Sequence, residues 1–192
     1  MARIVIIQGH PYPEGGHFGH ALAEAYVRGA RAGGHGVRQF AVARADFSWI
    51  RNRREWTEQP VPASLRSVQR AIGRADHLVL FFPLWLGTMP AVLKAFLEQI
   101  LRPGFALIYE GNRFPQNGFR GKSARVVATT ALPVFWHRWF FGRGAGGLDH
   151  GILAFCGVRP VRGTLVGAVD SRQGGRRTQW LRRVETLGRA AE

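Results

Sequence analysis

Arg3-Ile4-Val5-Ile6-Ile7-Gln8, then Gly9-His10-Pro11-Tyr12-Pro13-Glu14-Gly15-Gly16, then an alanine-rich run from Phe18 to Ala32: this opening stretch decides the fold. An unbroken β-branched run with no polar alternation predicts a strand covered on both faces. The glycines and prolines that follow break it sharply. The amphipathic run behind them predicts a helix, stopped by Gly33-Gly34. Working outward, the same strand-then-helix order recurs along the chain. Gly36 to Val42 reads as a second strand, and Asp46 to Pro60 as a polar and aromatic connection without a clear period. Pro62 to Ala75 reads as a helix with Pro62 suited to its first turn. His77 to Phe82 is a wholly apolar strand ended by Pro83, and Pro90 opens a helix running to about Leu101.

Gly104, Gly111, Pro115, Gly118 and Gly121 predict an ordered insertion or hairpin over residues 103–121. Ala124 to Thr130 is a further buried strand. Residues 131–147 read as a long aromatic and glycine-rich loop. A short helix around Gly151 to Phe155, a fifth strand from Val161 to Val169 and a closing helix from Thr178 to Ala191 complete the order. Five short apolar strands alternating with helices imply an α/β domain spanning residues 1–192, a parallel sheet with helices on both faces.

Composition narrows the function classes. Of 192 residues, 46% are hydrophobic and 20% charged, which excludes a disordered chain, and the 25 glycines follow no collagen period. A single cysteine, Cys156, excludes a disulfide framework and a cysteine-rich zinc site, and in its apolar setting reads as an inert buried thiol. The net charge is +15, but all the basic residues except Lys94 and Lys122 are arginine, spread evenly. Arg172, Arg176, Arg177, Arg182 and Arg183 motivate a nucleic-acid reading, yet no recognition motif accompanies them, so no nucleic-acid partner is expected. The apolar run at the N-terminus is too short for a signal peptide. The run from Leu78 to Leu101 is interrupted by Pro83, Pro90, Lys94 and Glu98, so a cytoplasmic protein without stable membrane insertion is expected.

In open parallel sheets ligands bind beyond the carboxyl ends of the strands. Residues 9–19, 83–90 and 131–147 leave those ends, so the site is expected among them. The first loop enters a helix N-terminus through Glu14-Gly15-Gly16-His17-Phe18-Gly19, where free amides and the helix dipole favour an anion. It matches neither a Walker loop nor the three-glycine dinucleotide fingerprint. His10, His17 and His20 have only Glu14 and Glu24 nearby as further ligands, so no metal is expected. The second loop, Pro83-Leu84-Trp85-Leu86-Gly87-Thr88-Met89-Pro90, is apolar where exposure is costly. It suits a planar ring lying against backbone and Trp85, or a plug in a core or dimer interface.

The block from Phe81 to Phe96, with Pro83-Leu84-Trp85-Leu86-Gly87-Thr88-Met89-Pro90 at its heart, resembles the flavin-contacting loop and following helix of the NAD(P)H:quinone oxidoreductases. That family includes ancillary oxidoreductases of potassium-efflux systems. His10-Pro11-Tyr12-Pro13, Thr129-Thr130 and Gly151-Ile152-Leu153-Ala154-Phe155-Cys156-Gly157 resemble its other conserved segments in the same order. The resemblance implies a flavodoxin-like, doubly wound, five-stranded parallel sheet of order 2-1-3-4-5. It implies a flavin, FMN or FAD with FMN favoured by the chain's brevity. Its phosphate would lie near His10, Gly16, His17, Phe18 and Gly19. Its ring would lie against Pro83, Leu84, Trp85, Leu86 and Gly87 and against Thr129, Thr130, Ala131 and Leu132. It also implies a homodimer in which each pocket is completed by the partner.

The implied activity is two-electron, ping-pong transfer from NAD(P)H to a small acceptor, a quinone or a nitro or azo compound. The alternative is a non-catalytic regulatory subunit of a transporter. His137 falls near a family tyrosine and Arg143 near a family histidine that act around acceptor and flavin, with Arg138 an equally placed cation. The chain departs from the family at Gly19, where asparagine is usual, near Gly16, where a hydroxyl residue is usual, and at Ala131-Leu132, where a glycine pair is usual. The aromatic run from Phe135 to Phe141 suits an acceptor pocket, a dimer contact or a membrane-interface foot, with a pocket lid shared with the dimer interface expected.

Overall fold

The computed structural model describes residues 1–109, 116–141, 151–170 and 174–192. The opening run forms β1 (Arg3–Gln8) and the alanine-rich segment α1 (Phe18–Ala32). They are followed by β2 (Gly36–Ala41), α2 (Arg53–Glu58), α3 (Arg66–Arg74), β3 (His77–Pro83) and α4 (Ala91–Ile100). Then come β4 (Leu107–Ile108), β5 (Gln116–Asn117), β6 (Ser123–Thr129), α5 (Val134–Phe141), α6 (Leu153–Phe155), β7 (Val161–Val166) and α7 (Gly174–Ala190). The main sheet is all parallel in the order β2-β1-β3-β6-β7. β4 and β5 pair apart from it as an antiparallel hairpin, so the five sheet strands counted alone run 2-1-3-4-5.

Why the strands carry no polar alternation is plain from the two cores. Ile4, Ile6, Val79, Phe81 and Val127 pack beneath α1 and α7, while Val5, Ile7, Leu78, Leu80 and Val126 pack beneath α3 and α4. With both pleat faces buried, every position favours an apolar side chain. On the first face α1 and α7 touch backbone to backbone. A Cβ on Gly29 would lie 1.9 Å from the Glu185 carbonyl oxygen, and one on Gly188 would lie 2.2 Å from that of Tyr26.

Four expectations need correction. The connection after Val42 contains α2, started by a reciprocal cap. Asn52 accepts from the Glu55 amide at 2.9 Å, and the Glu55 carboxylate accepts from the Arg51 amide at 2.9 Å. Asn-x-x-Glu at 52–55 is the sequence signal for such a start. Within the expected loop 131–147, residues 134–141 are helical, an eight-residue run free of glycine and proline behind Pro133; residues 142–147 lie outside the described residues. The fifth strand stops at Val166, three residues early, because Gly167 packs so closely that a Cβ there would meet Val134 at 2.8 Å, and Ala168 takes a positive φ of 54°. The closing helix begins at Gly174, a turn earlier than expected. Among the described residues no helix is long and apolar enough to cross a membrane.

Candidate functional site

The carboxyl ends of β1, β3 and β6 lie side by side, and the loops leaving them enclose a cavity of about 470 Å³. The first loop supplies His10, Gly16, His17, Phe18 and Gly19; the second supplies Pro83, Leu84 and Trp85; the third supplies Thr129, Thr130 and Ala131. These are eleven of the fourteen residues expected to hold a cofactor. Leu86, Gly87 and Leu132 do not line the cavity.

Gln8, the last residue of β1, shapes the first loop. Its side-chain amide donates to the Gly19 carbonyl at 3.1 Å and its oxygen accepts from the His10 amide at 3.1 Å. The His10 Nδ1 accepts from the Tyr12 amide at 3.1 Å, which leaves Nε2 as the protonated nitrogen of the neutral ring. Gly15 and Gly16 both take left-handed φ values, 85° and 80°, a turn that side-chain-bearing residues adopt only with strain. Helix α1 then begins with His17 at its N-cap, with no side-chain cap and no acid in its first turn. Phe18 and Gly19 at its start line the cavity, where the first amides of a helix lack helical acceptors and can donate to an anion.

The three histidines of this loop pack on one another. The His10 and His17 rings stack with centroids 4.2 Å apart, and His10 and His20 lie 4.7 Å apart. Burial, then the neighbouring His17 and His20, pull the His10 imidazole down to about 4, and burial likewise lowers His20. His10 is therefore an uncharged donor at neutral pH. Positive charge comes instead from Arg177 on α7, which lines the cavity with its guanidinium 4.7 Å from the Phe18 ring centroid.

The second and third loops are tied together: the Leu84 amide donates to the Thr129 carbonyl at 2.7 Å. Trp85 and Thr88 exchange backbone hydrogen bonds of 2.9 and 3.1 Å around a tight turn with φ of 50° at Leu86 and 80° at Gly87. That turn sets Trp85 on the cavity wall and points Leu86 into solvent. Leu132 turns away because its amide donates to Thr130 Oγ1 at 3.2 Å and its carbonyl accepts from Ala168 at 3.1 Å. Thr130 also holds the chain leaving β7: its amide donates to Val166 and its carbonyl accepts from Val169.

That tether adds Val169, Asp170 and Arg177 to the cavity, residues the sequence reading missed. The signal was available, since the fifth strand also ends at this edge. His137 lies on α5, but its side chain is outside the described residues, as is Arg143 altogether. Cys156 is buried and does not line this cavity, its thiol pushed up to about 11 by that burial.

Other cavities lie among the described residues, one of them lined by Pro133, Val134, Phe135, Gly167, Ala168 and Arg176. One of about 570 Å³ lies behind the first loop, against the end of β2 and Leu65, Ser67 and Val68. An apolar groove of about 500 Å³ runs between Trp56, Leu97, Leu101, Leu107, Ile152 and Phe155. None of these shares a lining residue with the cavity at the loops, which joins the uncapped N-terminus of α1 to the apolar side chains of Pro83, Leu84 and Trp85. Its residues fit a phosphorylated planar ring: amides and Arg177 for the anion, Pro83–Trp85 and Thr129–Ala131 for the ring.

Fold and cavity together define a doubly wound α/β protein of flavodoxin type. Residues 2–187 match the family described as flavodoxin-like fold, and the chain belongs to that family. It is similar to NAD(P)H dehydrogenase [quinone] 1 of Rattus norvegicus, 25% identical over 219 residues, covering 97% of this chain and 78% of that protein. It is also similar to FMN-dependent NADH:quinone oxidoreductase of Ruegeria pomeroyi, 30% identical over 96 residues, covering 48% of this chain and 45% of that one. The solved structure of Smu.1420 from Streptococcus mutans UA159 superposes with a TM-score of 0.80 at 25% identity, covering 97% of this chain and 98% of that chain.

Proposed function

We propose that this protein is a flavin-dependent NAD(P)H oxidoreductase that delivers two electrons to a quinone or a related nitro or azo compound. One observation carries the reading: the cavity of about 470 Å³ joins an anion cradle to an apolar wall at the carboxyl edge of the sheet. The names of the rat and Ruegeria pomeroyi relatives support the same chemistry.

When bound, the flavin supplies the hydride-accepting and hydride-donating chemistry. The chain's own residues position it. The amides of Gly16, His17, Phe18 and Gly19 would hold the phosphate, with the His10 Nε2–H as a neutral donor and Arg177 as the cation. Trp85, the backbone from Pro83 and the turn from Thr129 to Ala131 would hold the ring, and donor and acceptor would use its open side in turn, the ping-pong order. His137 and Arg143 are proposed as the groups that stabilise negative charge developing beside the ring. The cavity's size favours FMN. The apolar groove at Leu97, Leu107, Ile152 and Phe155 offers a surface for the homodimer, which light scattering on the purified protein tests.

The deciding experiment is the visible spectrum of the protein after incubation with FMN or FAD, repeated anaerobically with NADH and NADPH. Flavin bands that bleach and return on adding a quinone are expected. Bands that never bleach would replace the oxidoreductase with a regulatory subunit, and failure to take up either flavin would remove the cofactor reading.

A further inference from the structure

An acid stands on the wall of the loop cavity, and the reading of a phosphate and a ring gives it no task. Asp170 lines the cavity with Val169 and Arg177, and among the described residues that line it Asp170 is the one carboxylate. Its place follows from the way the chain leaves β7. The Ala168 amide donates to the Leu132 carbonyl at 3.1 Å, and the Val169 amide donates to the Thr130 carbonyl at 3.3 Å. Between β7 and that second bond Ala168 takes a φ of 54°, a conformation that alanine adopts only with strain. Strain of this kind persists where surrounding contacts over-determine the chain, and it gathers at binding sites. Here it keeps residues 166–169 against the third loop and delivers Asp170 to the cavity.

Charge decides what Asp170 can face. A phosphorylated flavin carries negative charge at its phosphate and gains it on the reduced ring, and a carboxylate repels both. The hydroxylated chain that joins them is neutral and rich in O–H donors, for which a carboxylate is a strong acceptor. Other acceptors of the third loop already hold donors of the protein itself. The Thr129 carbonyl holds the Leu84 amide, the Thr130 carbonyl the Val169 amide, and Thr130 Oγ1 the Leu132 amide. Asp170 is exposed and enters no ion pair among the described residues, with Arg177 or any other base.

We propose that Asp170 makes this cavity selective for a ligand with a hydroxylated chain, by accepting hydrogen bonds from the ribityl hydroxyls of the flavin. The inference rests on the flavin reading and deepens it. Arg177 and the first amides of α1 take the charged end, the second and third loops take the ring, and Asp170 takes the chain between them.

The test compares riboflavin, which carries the ribityl chain, with lumiflavin, which has a methyl group in its place. Flavin fluorescence is followed as the full chain is added. Neither ligand carries a phosphate, so the phosphate contacts drop out of the comparison. The wild type should hold riboflavin at least about tenfold more tightly than lumiflavin. Asp170→Ala should weaken riboflavin binding by about tenfold, the loss expected for hydrogen bonds to a charged acceptor, and leave lumiflavin unchanged. Asp170→Asn keeps a neutral acceptor and should fall between. Both variants change an exposed side chain and should leave the Tm of the flavin-free protein in place. An unchanged riboflavin-to-lumiflavin ratio in Asp170→Ala overturns the role of Asp170 and leaves the flavin reading standing. So does a wild type that takes up FMN but prefers riboflavin no more than lumiflavin. Tighter FMN binding in Asp170→Ala at an unchanged ratio would make the carboxylate a repulsive charge at the phosphate, which overturns the role too. A wild type that binds no flavin, FMN and FAD included, removes the flavin reading itself and this inference with it.

Discussion

His77 makes the stability of this protein depend on pH in a way that one substitution isolates. It opens β3 at the amino edge of the sheet, 3% exposed, with Nδ1 2.7 Å from Ser123 Oγ and Nε2 buried without a hydrogen-bond partner. Burial, then Arg125, Arg162 and His35, lower its imidazole from 6.5 to about 4. With the folded value below the unfolded one, the unfolded chain takes the proton first. The contribution to stability is therefore held above about pH 6.5 and lost as the pH falls toward 4. Between pH 7 and pH 5 that loss amounts to about 2 kcal/mol.

His77→Asn keeps an amide within reach of Ser123 and removes the titration. It should cost stability at every pH through the smaller side chain, yet its urea unfolding free energy should fall by about 2 kcal/mol less than the wild type's between pH 7 and pH 5. His10 and the carboxylates act in both proteins, so they cancel in the difference. Equal pH dependence in the two proteins would refute the assignment of a neutral, buried His77.

Arg177→Gln should weaken FMN binding about fivefold, the share of an exposed cation facing a phosphate, while leaving riboflavin affinity unchanged; an unchanged FMN-to-riboflavin ratio in flavin-fluorescence titrations would remove Arg177 from the phosphate site. Trp85→Ala should weaken both flavins alike, by roughly tenfold for a lost aromatic wall, without changing the Tm of the flavin-free protein. Gly29→Ala places a Cβ 1.9 Å from a backbone oxygen of α7 and should lower stability by about 1–3 kcal/mol in urea unfolding despite alanine's better helix propensity; a gain would mean the two helices are not in backbone contact.

Much of the architecture was legible because burial on both faces of a parallel sheet writes itself into unbroken apolar runs. The segments 3–8, 77–82 and 124–130 name the three central strands on that ground alone. The edge strands were harder. β2 is only half-buried and carries Arg38 and Gln39, and β7 ends where Gly167 packs against Val134, a tertiary contact no local pattern announces. Helix α5 escaped notice because eight residues rich in bulky aromatics show neither a strong propensity nor a simple polar–apolar period. The site was read from loop position, and the three loops supplied it. Arg177 was missed because it reaches the cavity from the second turn of the last helix, brought there by the tether between Thr130 and Val169.

The departures of this chain around its cavity bear on how it would hold a phosphate. By the resemblance drawn from the sequence, Gly16 and Gly19 stand where a hydroxyl residue and an asparagine are usual, so two side-chain donors would be missing from the rim. The backbone amides remain, and the left-handed pair Gly15-Gly16 presents them without a side chain in the way. What replaces the lost donors is not a charged histidine cluster, because burial and mutual repulsion hold His10 down at about 4. In their place the rim offers a neutral imidazole, pinned in one tautomer by the Tyr12 amide, and an exposed cation, Arg177, laid over Phe18. A neutral donor costs less to bury than a charged one, and an exposed arginine supplies charge without that burial. Among the described residues Arg177 is the arginine that lines this cavity, so the salt dependence of such a site would run through it. If FMN affinity fell as steeply with salt in Arg177→Gln as in the wild type, the charge at this rim would have to come from another group.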